Sequence, residues 1–134
     1  MRVSFLKDKL VSVGVCRIIT EKYKYYPGAW IDGIIETISD NYIYVYFKLW
    51  DEVHRYNVGD PIVKESSFIT KKKYTAGELV HVMSSKTEFI WWEAYIVEDT
   101  VLGDAEVLIE WADPGRDMPE TQLVPINFIR ALQN

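Results

Sequence analysis

The sequence predicts an all-β chain built as two small antiparallel barrels in tandem, each with a short helical turn. Three observations predict it. The first is a repeat: Ala29-Trp30-Ile31-Asp32-Gly33-Ile34-Ile35 is echoed by Ile90-Trp91-Trp92-Glu93-Ala94-Tyr95-Ile96, with Trp91 placed 61 residues after Trp30. Each copy is followed by an aromatic-ended run, Tyr44-Val45-Tyr46-Phe47 and Leu108-Ile109-Glu110-Trp111. Each closes on a similar segment, Ser67-Phe68-Ile69 and Asn127-Phe128-Ile129. A fixed period of this length marks two copies of one unit. The second is a series of short β-prone runs at a spacing of roughly ten residues, with no long amphipathic helix. The third is composition: aromatics make up 14% of the chain, and Trp and Tyr supply 14 of the 19, an excess that favours strands and binding surfaces. A unit this small buries little surface alone, so the copies are expected to pack into one rigid body. Barrel closure would remove the exposed sheet edges.

The elements follow in order. Residues 1–9 form a leader. Leu10–Ile19 is a β-branched run interrupted by Gly14, and Glu21–Pro27 is a loop ended by the turn signal Pro27-Gly28. Ala29–Ile38 reads as a strand, Ser39-Asp40-Asn41 as a turn and Tyr42–Leu49 as a strongly β-prone strand. Asp51-Glu52 turns the chain into a short strand through Tyr56, Val58–Pro61 is loop, and Glu65–Thr70 suggests one helical turn. The first barrel spans 10–70. Lys71-Lys72-Lys73 opens a linker over 71–77, where a solvated charge run is the plain reading and contact with an acidic partner the functional one. The second barrel spans 78–134. It runs through Glu78–Met83, the polar loop Ser84–Glu88, Trp91–Glu98, a turn at Leu102-Gly103-Asp104 and Ala105–Trp111. A Pro/Gly loop at Ala112–Met118, a short strand at Glu120–Val124 and a helical turn within Ile126–Ala131 complete it.

Whole-chain properties narrow the function. The 134 residues are 49% hydrophobic and 26% charged, which excludes a disordered chain. The net charge of −5 repels a nucleic-acid backbone and attracts basic peptides. Only Lys64 with Lys71–Lys73 forms a basic cluster. The single cysteine, Cys16, permits no internal disulfide and fits a reducing compartment. With no apolar run of membrane-spanning length and no signal peptide with a cleavage site, the chain reads as nuclear or cytoplasmic. Catalysis has no foothold: His54 and His81 lack a nucleophile or carboxylate at a recognised spacing, and no metal-ligand cluster, phosphate loop or nucleophile elbow is present.

The aromatics carry the remaining signal. A methylated ammonium is a weakly hydrated cation, best held by two to four aromatic faces with a carboxylate nearby. The first unit offers Tyr25, Tyr26, Phe47, Trp50 and Asp51, and the second offers Phe89, Trp92, Trp111 and Asp113. Ordinary barrel packing accounts for any one of them equally well. Trp30 and Trp91, at matching places, read as core anchors. Trp91 and Trp92 face opposite sides if both lie in a strand, so one of them points outward or toward the other unit.

With these residues in place, the chain resembles the Tudor superfamily of SH3-like barrels, in particular tandem Tudor or Agenet modules. The segments GAWIDGIIETI and IYVYFKLWDE look like its second and third strands. The stretch from Gly77 through Trp91-Trp92 to Leu132 is similar to the second Agenet module at the N-terminus of the fragile X mental retardation protein family. Tandem Tudor readers of methylated histone are similar by pattern. The resemblance covers residues 10–132. It implies an aromatic cage on Trp92, Trp111 and Phe89 in the second unit, with Asp113 beside Pro114 where a fourth wall would stand. In the first unit it implies Phe47, Trp50 and Tyr25 or Tyr26, with Ile31 at a position that needs an aromatic face. The implied function is a reader of methyl-lysine or methyl-arginine on a histone tail or arginine-rich segment, with no cofactor and no enzyme activity, and the second unit as the reader. A nucleic-acid-binding module and a platform for unmodified peptide are the rival readings.

Overall fold

The computed structural model describes residues 10–14, 29–65, 67–84, 87–112 and 120–132. The first unit comprises β1 (Leu10–Gly14), β2 (Ala29–Ile38), β3 (Tyr42–Phe47), β4 (Glu52–Asn57) and β5 (Val63–Glu65). A short β6 (Phe68–Ile69) leads into the second unit. That unit has β7 (Leu79–Met83), β8 (Ile90–Ile96), β9 (Glu106–Trp111), β10 (Thr121–Pro125), a 3-10 turn at Ile126–Phe128 and β11 (Ile129–Leu132). The strand order is β5-β1-β2-β3-β4 in the first unit and β11-β7-β8-β9-β10 in the second, so the topology is repeated. All pairings are antiparallel.

The all-β expectation holds, with a difference in closure. Among the described residues no ladder joins β4 to β5 or β10 to β11, so neither set closes into a barrel. The two sets are instead fused into one continuous sheet, which covers the otherwise unpaired starts of β2 and β8. The start of β2 pairs with the start of β8, matching Ala29 to Trp92, Trp30 to Trp91 and Ile31 to Ile90. Asp32 N–H donates to the Phe89 carbonyl at 2.9 Å and extends this ladder. Because position 30 corresponds to position 91 in the repeat, these three rungs map onto themselves when the units are exchanged. An approximate twofold axis therefore passes between Trp30 and Trp91.

Side-chain alternation fixes the faces of β2 and β8. Ala29, Ile31, Gly33 and Ile35 point into the first core with Val11, Ile43, Val45 and Phe47. Ile90 of β8 joins that same core, which ties the units together by packing as well as by hydrogen bonds. The second core gathers Val80, Val82, Ala94, Ile109, Trp111 and Ile129 around Tyr74. Gly33 is required sterically: a Cβ there would collide with Val45 Cγ1 and come within 2.9 Å of Phe47 Cε1.

Three local expectations are corrected. Glu65–Thr70 is not helical: β5 ends there and β6 follows, pairing Ile69 and Phe68 with Ala131 and Leu132 of the second unit. The echo of Phe68 with Phe128 is not a structural equivalence, because strand register aligns Val63 with Ile129 and Lys64 with Arg130. The helical turn forms before β11, whereas the matching place before β5 is a tight turn closed by Val63 N–H on the Asp60 carbonyl at 3.0 Å. The segment expected as linker packs against the second unit. Tyr74 is buried there, its hydroxyl donating to the Ile129 carbonyl at 3.2 Å and its N–H to Thr100 Oγ1 at 2.7 Å. Burial pushes the Tyr74 hydroxyl pKa up. Lys71 pairs with Glu78, while Lys72 and Lys73 are exposed.

Candidate functional site

The second unit brings two of its expected cage residues together. Trp92 at the start of β8 and Trp111 at the end of β9 line one cleft of about 320 Å³ with Met83, Gln122, Pro125 and Phe128. Trp111 is held at its edge, where indole Nε1 donates to Gln122 Oε1 at 3.3 Å, and it is only 8% exposed. Trp92 is half-buried and packs against both cores. Phe128, which the sequence reading did not place in the site, is delivered by the 3-10 turn; its sequence signal pointed instead to the false pairing with Phe68.

Phe89 is set apart from this pair. It lines a different cleft, with Trp91, Tyr46 and Met83. Trp91 and Trp92 leave β8 on opposite faces, so the clefts lie on opposite sides of that strand, and among the described residues only Met83 borders both. Asp113, Tyr25 and Tyr26 lie outside the described residues.

In the first unit the corresponding positions are sealed. By register Ile31 matches Trp92 and Phe47 matches Trp111. Ile31 is 1% exposed and Phe47 wholly buried. Phe47 meets Trp50 edge-on at 5.3 Å between ring centroids, and His54 and Tyr56 at 5.5 and 6.4 Å. Trp50 also meets His54 at 5.9 Å, and His54 Nε2 lies 3.0 Å from Glu52 Oε2. This is an aromatic cluster with its faces occupied by one another. Asp51 adopts a left-handed conformation (φ 53°) that an Asp tolerates, and accepts a hydrogen bond from Tyr46 Oη at 2.7 Å.

The two tryptophans assigned to the core are corrected: Trp30 and Trp91 are half-buried and point away from both cores, and it is Trp92 that faces inward. On this outer face the molecule clamps a cation of its own. Arg130 is sandwiched between Phe68 at 3.7 Å and Trp91 at 3.8 Å. Its guanidinium donates two 2.9 Å hydrogen bonds to the Asp32 carboxylate, across 98 residues of sequence. Burial pulls the Arg130 pKa down, and the Asp32 carboxylate opposes that pull. Across the axis, Lys64 lies 5.1 Å from the Trp30 ring, and Trp30 Nε1 donates to Glu93 Oε1 at 2.6 Å. His81 fills the space between, near-parallel to Trp30 at 6.1 Å and tilted against Phe68 at 4.9 Å. Burial first, then the charges of Arg130 and Lys64, lower the His81 pKa to about 4, so the ring is neutral at pH 7. The sequence did not reveal this cluster, because Asp32, Phe68 and Arg130 meet only through the joint between the units.

No known protein-family profile matches the chain, and no curated protein sequence does. In three dimensions it is similar to the crystal structure of Arabidopsis thaliana AGDP1 AGD34, with a TM-score of 0.59 at 12% identity over 95% of this chain and 82% of that one. That likeness shows the fold, an Agenet/Tudor-like β fold.

Proposed function

We propose that the chain is a non-enzymatic reader module that captures a methylated lysine or arginine of a partner protein in the cleft of its second unit. The observation that carries this reading is the shared cleft of Trp92 and Trp111, where equivalent positions of the first unit are closed core. Two indoles and Phe128 can offer π faces to a cation too weakly hydrated to resist desolvation. The net charge of −5 favours a basic segment such as a histone tail or an arginine-rich stretch, in the nucleus or cytoplasm. The finer kinship with the fragile X family belongs to the same proposal, as does Asp113 as the neighbouring carboxylate.

The test is a screen of histone-tail and arginine-glycine peptides in unmodified and methylated forms, followed by calorimetric titration of the best peptide. Trp92→Leu keeps an apolar filler but removes a π face. It should weaken methylated-peptide binding about tenfold, since a desolvated cation–π contact is worth up to about 2 kcal/mol and a tenfold change is about 1.4 kcal/mol. Phe128→Leu serves where Trp92→Leu lowers the melting temperature. Equal affinity for methylated and unmodified peptide would replace the reader by an unmodified-peptide platform. Binding that collapses between low and moderate salt irrespective of methylation would favour a phosphate-bearing ligand.

A further inference from the structure

The cleft that holds Phe89 is open on the outer face of the joined sheet and belongs to both units. Its walls are Leu10, Ile34 and Tyr46 from the first unit and Met83, Phe89 and Trp91 from the second, around about 320 Å³. It continues into a row of apolar side chains across four strands. Leu10 pairs with Ile34, Ile34 with Tyr46, and Tyr46 with Val53. Leu10, Ile34 and Val53 are 42%, 41% and 46% exposed. The matching row of the second unit is Leu79, Tyr95, Glu110 and Thr121, where the apolar run stops after two residues. Exposed apolar side chains in one continuous patch beside a cleft mark an interaction surface.

The rim gives the sign of the partner. Glu88 lines the cleft, and Asp51 binds the Tyr46 hydroxyl. The Tyr46 pKa is raised, first by that hydrogen bond, then by desolvation and by the charges of Asp51 and Glu36, the two carboxylates near this rim. Among the described residues, Lys48 is the cation on the lining, its ammonium 5.9 Å from the Phe89 ring.

The geometry points to this shared cleft as a docking site for a partner peptide that carries a bulky apolar residue flanked by lysine or arginine. The apolar side chain enters between Phe89, Trp91 and Ile34. Its basic neighbours lie over Glu88, Glu36 and Asp51. The site is independent of the methyl-cation cleft, since Trp91 and Trp92 face opposite sides of β8.

The Trp91 indole provides a local reporter, because its Nε1 donates to the Glu88 carbonyl at 3.0 Å. The experiment titrates the isotopically labelled full chain with three capped pentapeptides, watched by indole and backbone resonances. One peptide has phenylalanine between two pairs of lysines, one has alanine in its place, and one has phenylalanine between pairs of glutamates. The first should shift the Trp91 indole saturably, and the other two should bind at least tenfold more weakly. Ile34→Glu places a charge at an exposed position and should cost the first peptide tenfold or more in affinity while leaving methylated-peptide binding at the other cleft unchanged. Phe89→Ala replaces it if the spectrum of Ile34→Glu is not that of a folded chain. A Trp91 indole that stays unmoved, equal binding of the alanine peptide, or full affinity in both variants would overturn the proposal.

Discussion

The two units share a strand order and differ in where they keep their aromatic volume. At matching positions the first has Ile31, Gly33, Phe47 and Tyr56, and the second has Trp92, Ala94, Trp111 and Val124. In the first, a glycine under the third strand lets Phe47 sink fully into the core, where Trp50, His54 and Tyr56 close over it. In the second, alanine occupies the glycine position and the larger indole of Trp111 stays at the border of the core, facing a cleft. One scaffold thus supports a sealed aromatic cluster and an open one, and the choice rests on a few side-chain volumes. The joint repeats the contrast with charges: Arg130 is buried in a two-ring clamp, while Lys64 at the same register lies exposed beside one ring.

The largest expected effect breaks the sealed side. Phe47→Ala should destabilise the chain by about 3–5 kcal/mol, the range for deleting a buried aromatic, as read from chemical denaturation. A loss below about 1 kcal/mol would show that the cluster is not a packed core. Next comes the joint. Removing Asp32 leaves the Arg130 guanidinium buried without its carboxylate, so Asp32→Ala should cost about 3–5 kcal/mol. The double variant Asp32→Ala/Arg130→Met should recover much of that loss, and a double-mutant cycle with no coupling would deny the clamp its role.

The pH profile sharpens the same comparison. His81 has a folded-state pKa of about 4 against 6.5 unfolded, so the folded chain binds fewer protons in that interval. Its contribution to stability is present above pH 6.5 and is lost as pH falls toward 4, by up to about 3 kcal/mol at 1.36 kcal/mol per unit. His81→Phe should flatten that part of the acid limb, measured as the difference in stability between pH 7 and pH 5. An unchanged limb would place the lost stability on carboxylates instead. The smallest effect is expected at the exposed counterpart of Arg130: Lys64→Ala should change stability by less than about 1 kcal/mol, as exposed cation–π contacts do. A cost equal to that of Asp32→Ala would mean that the two halves of the joint are energetically alike.

Much of the scaffold was legible because it depends on local alternation and on the repeat. β2, β3, β8 and β9 fall close to their expected ranges, since β-branched and aromatic runs bounded by Asp, Asn and Gly leave little choice. Sequence similarity aligns the closing segments through Phe68 and Phe128, whereas pairing partners decide structural equivalence, and those are remote in sequence. The sequence does not separate the roles of Trp91 and Trp92 for a related reason. Alternation shows that neighbours point opposite ways but not which face is the core. That depends on Ile31 and Ile90 meeting across the joint. The pairing of Trp92 with Trp111 could be read from the repeat, while the separation of Phe89 could not, because it follows from the course of a connection rather than from a strand.

The Trp30–Trp91 rung has a consequence for how the chain reaches its native state. The hairpins β2–β3, β3–β4 and β8–β9 close short loops, but the joint brings together residues 61 positions apart, and its loop-closure entropy is recovered only when both partners are already in shape. Assembly should therefore proceed from hairpins to units to joint, with the central rungs forming late and the whole then opening as one. Hydrogen exchange offers the reading: amides of residues 29–31 and 90–92 should exchange only through global opening and share one free energy, equal to that of the complete chain.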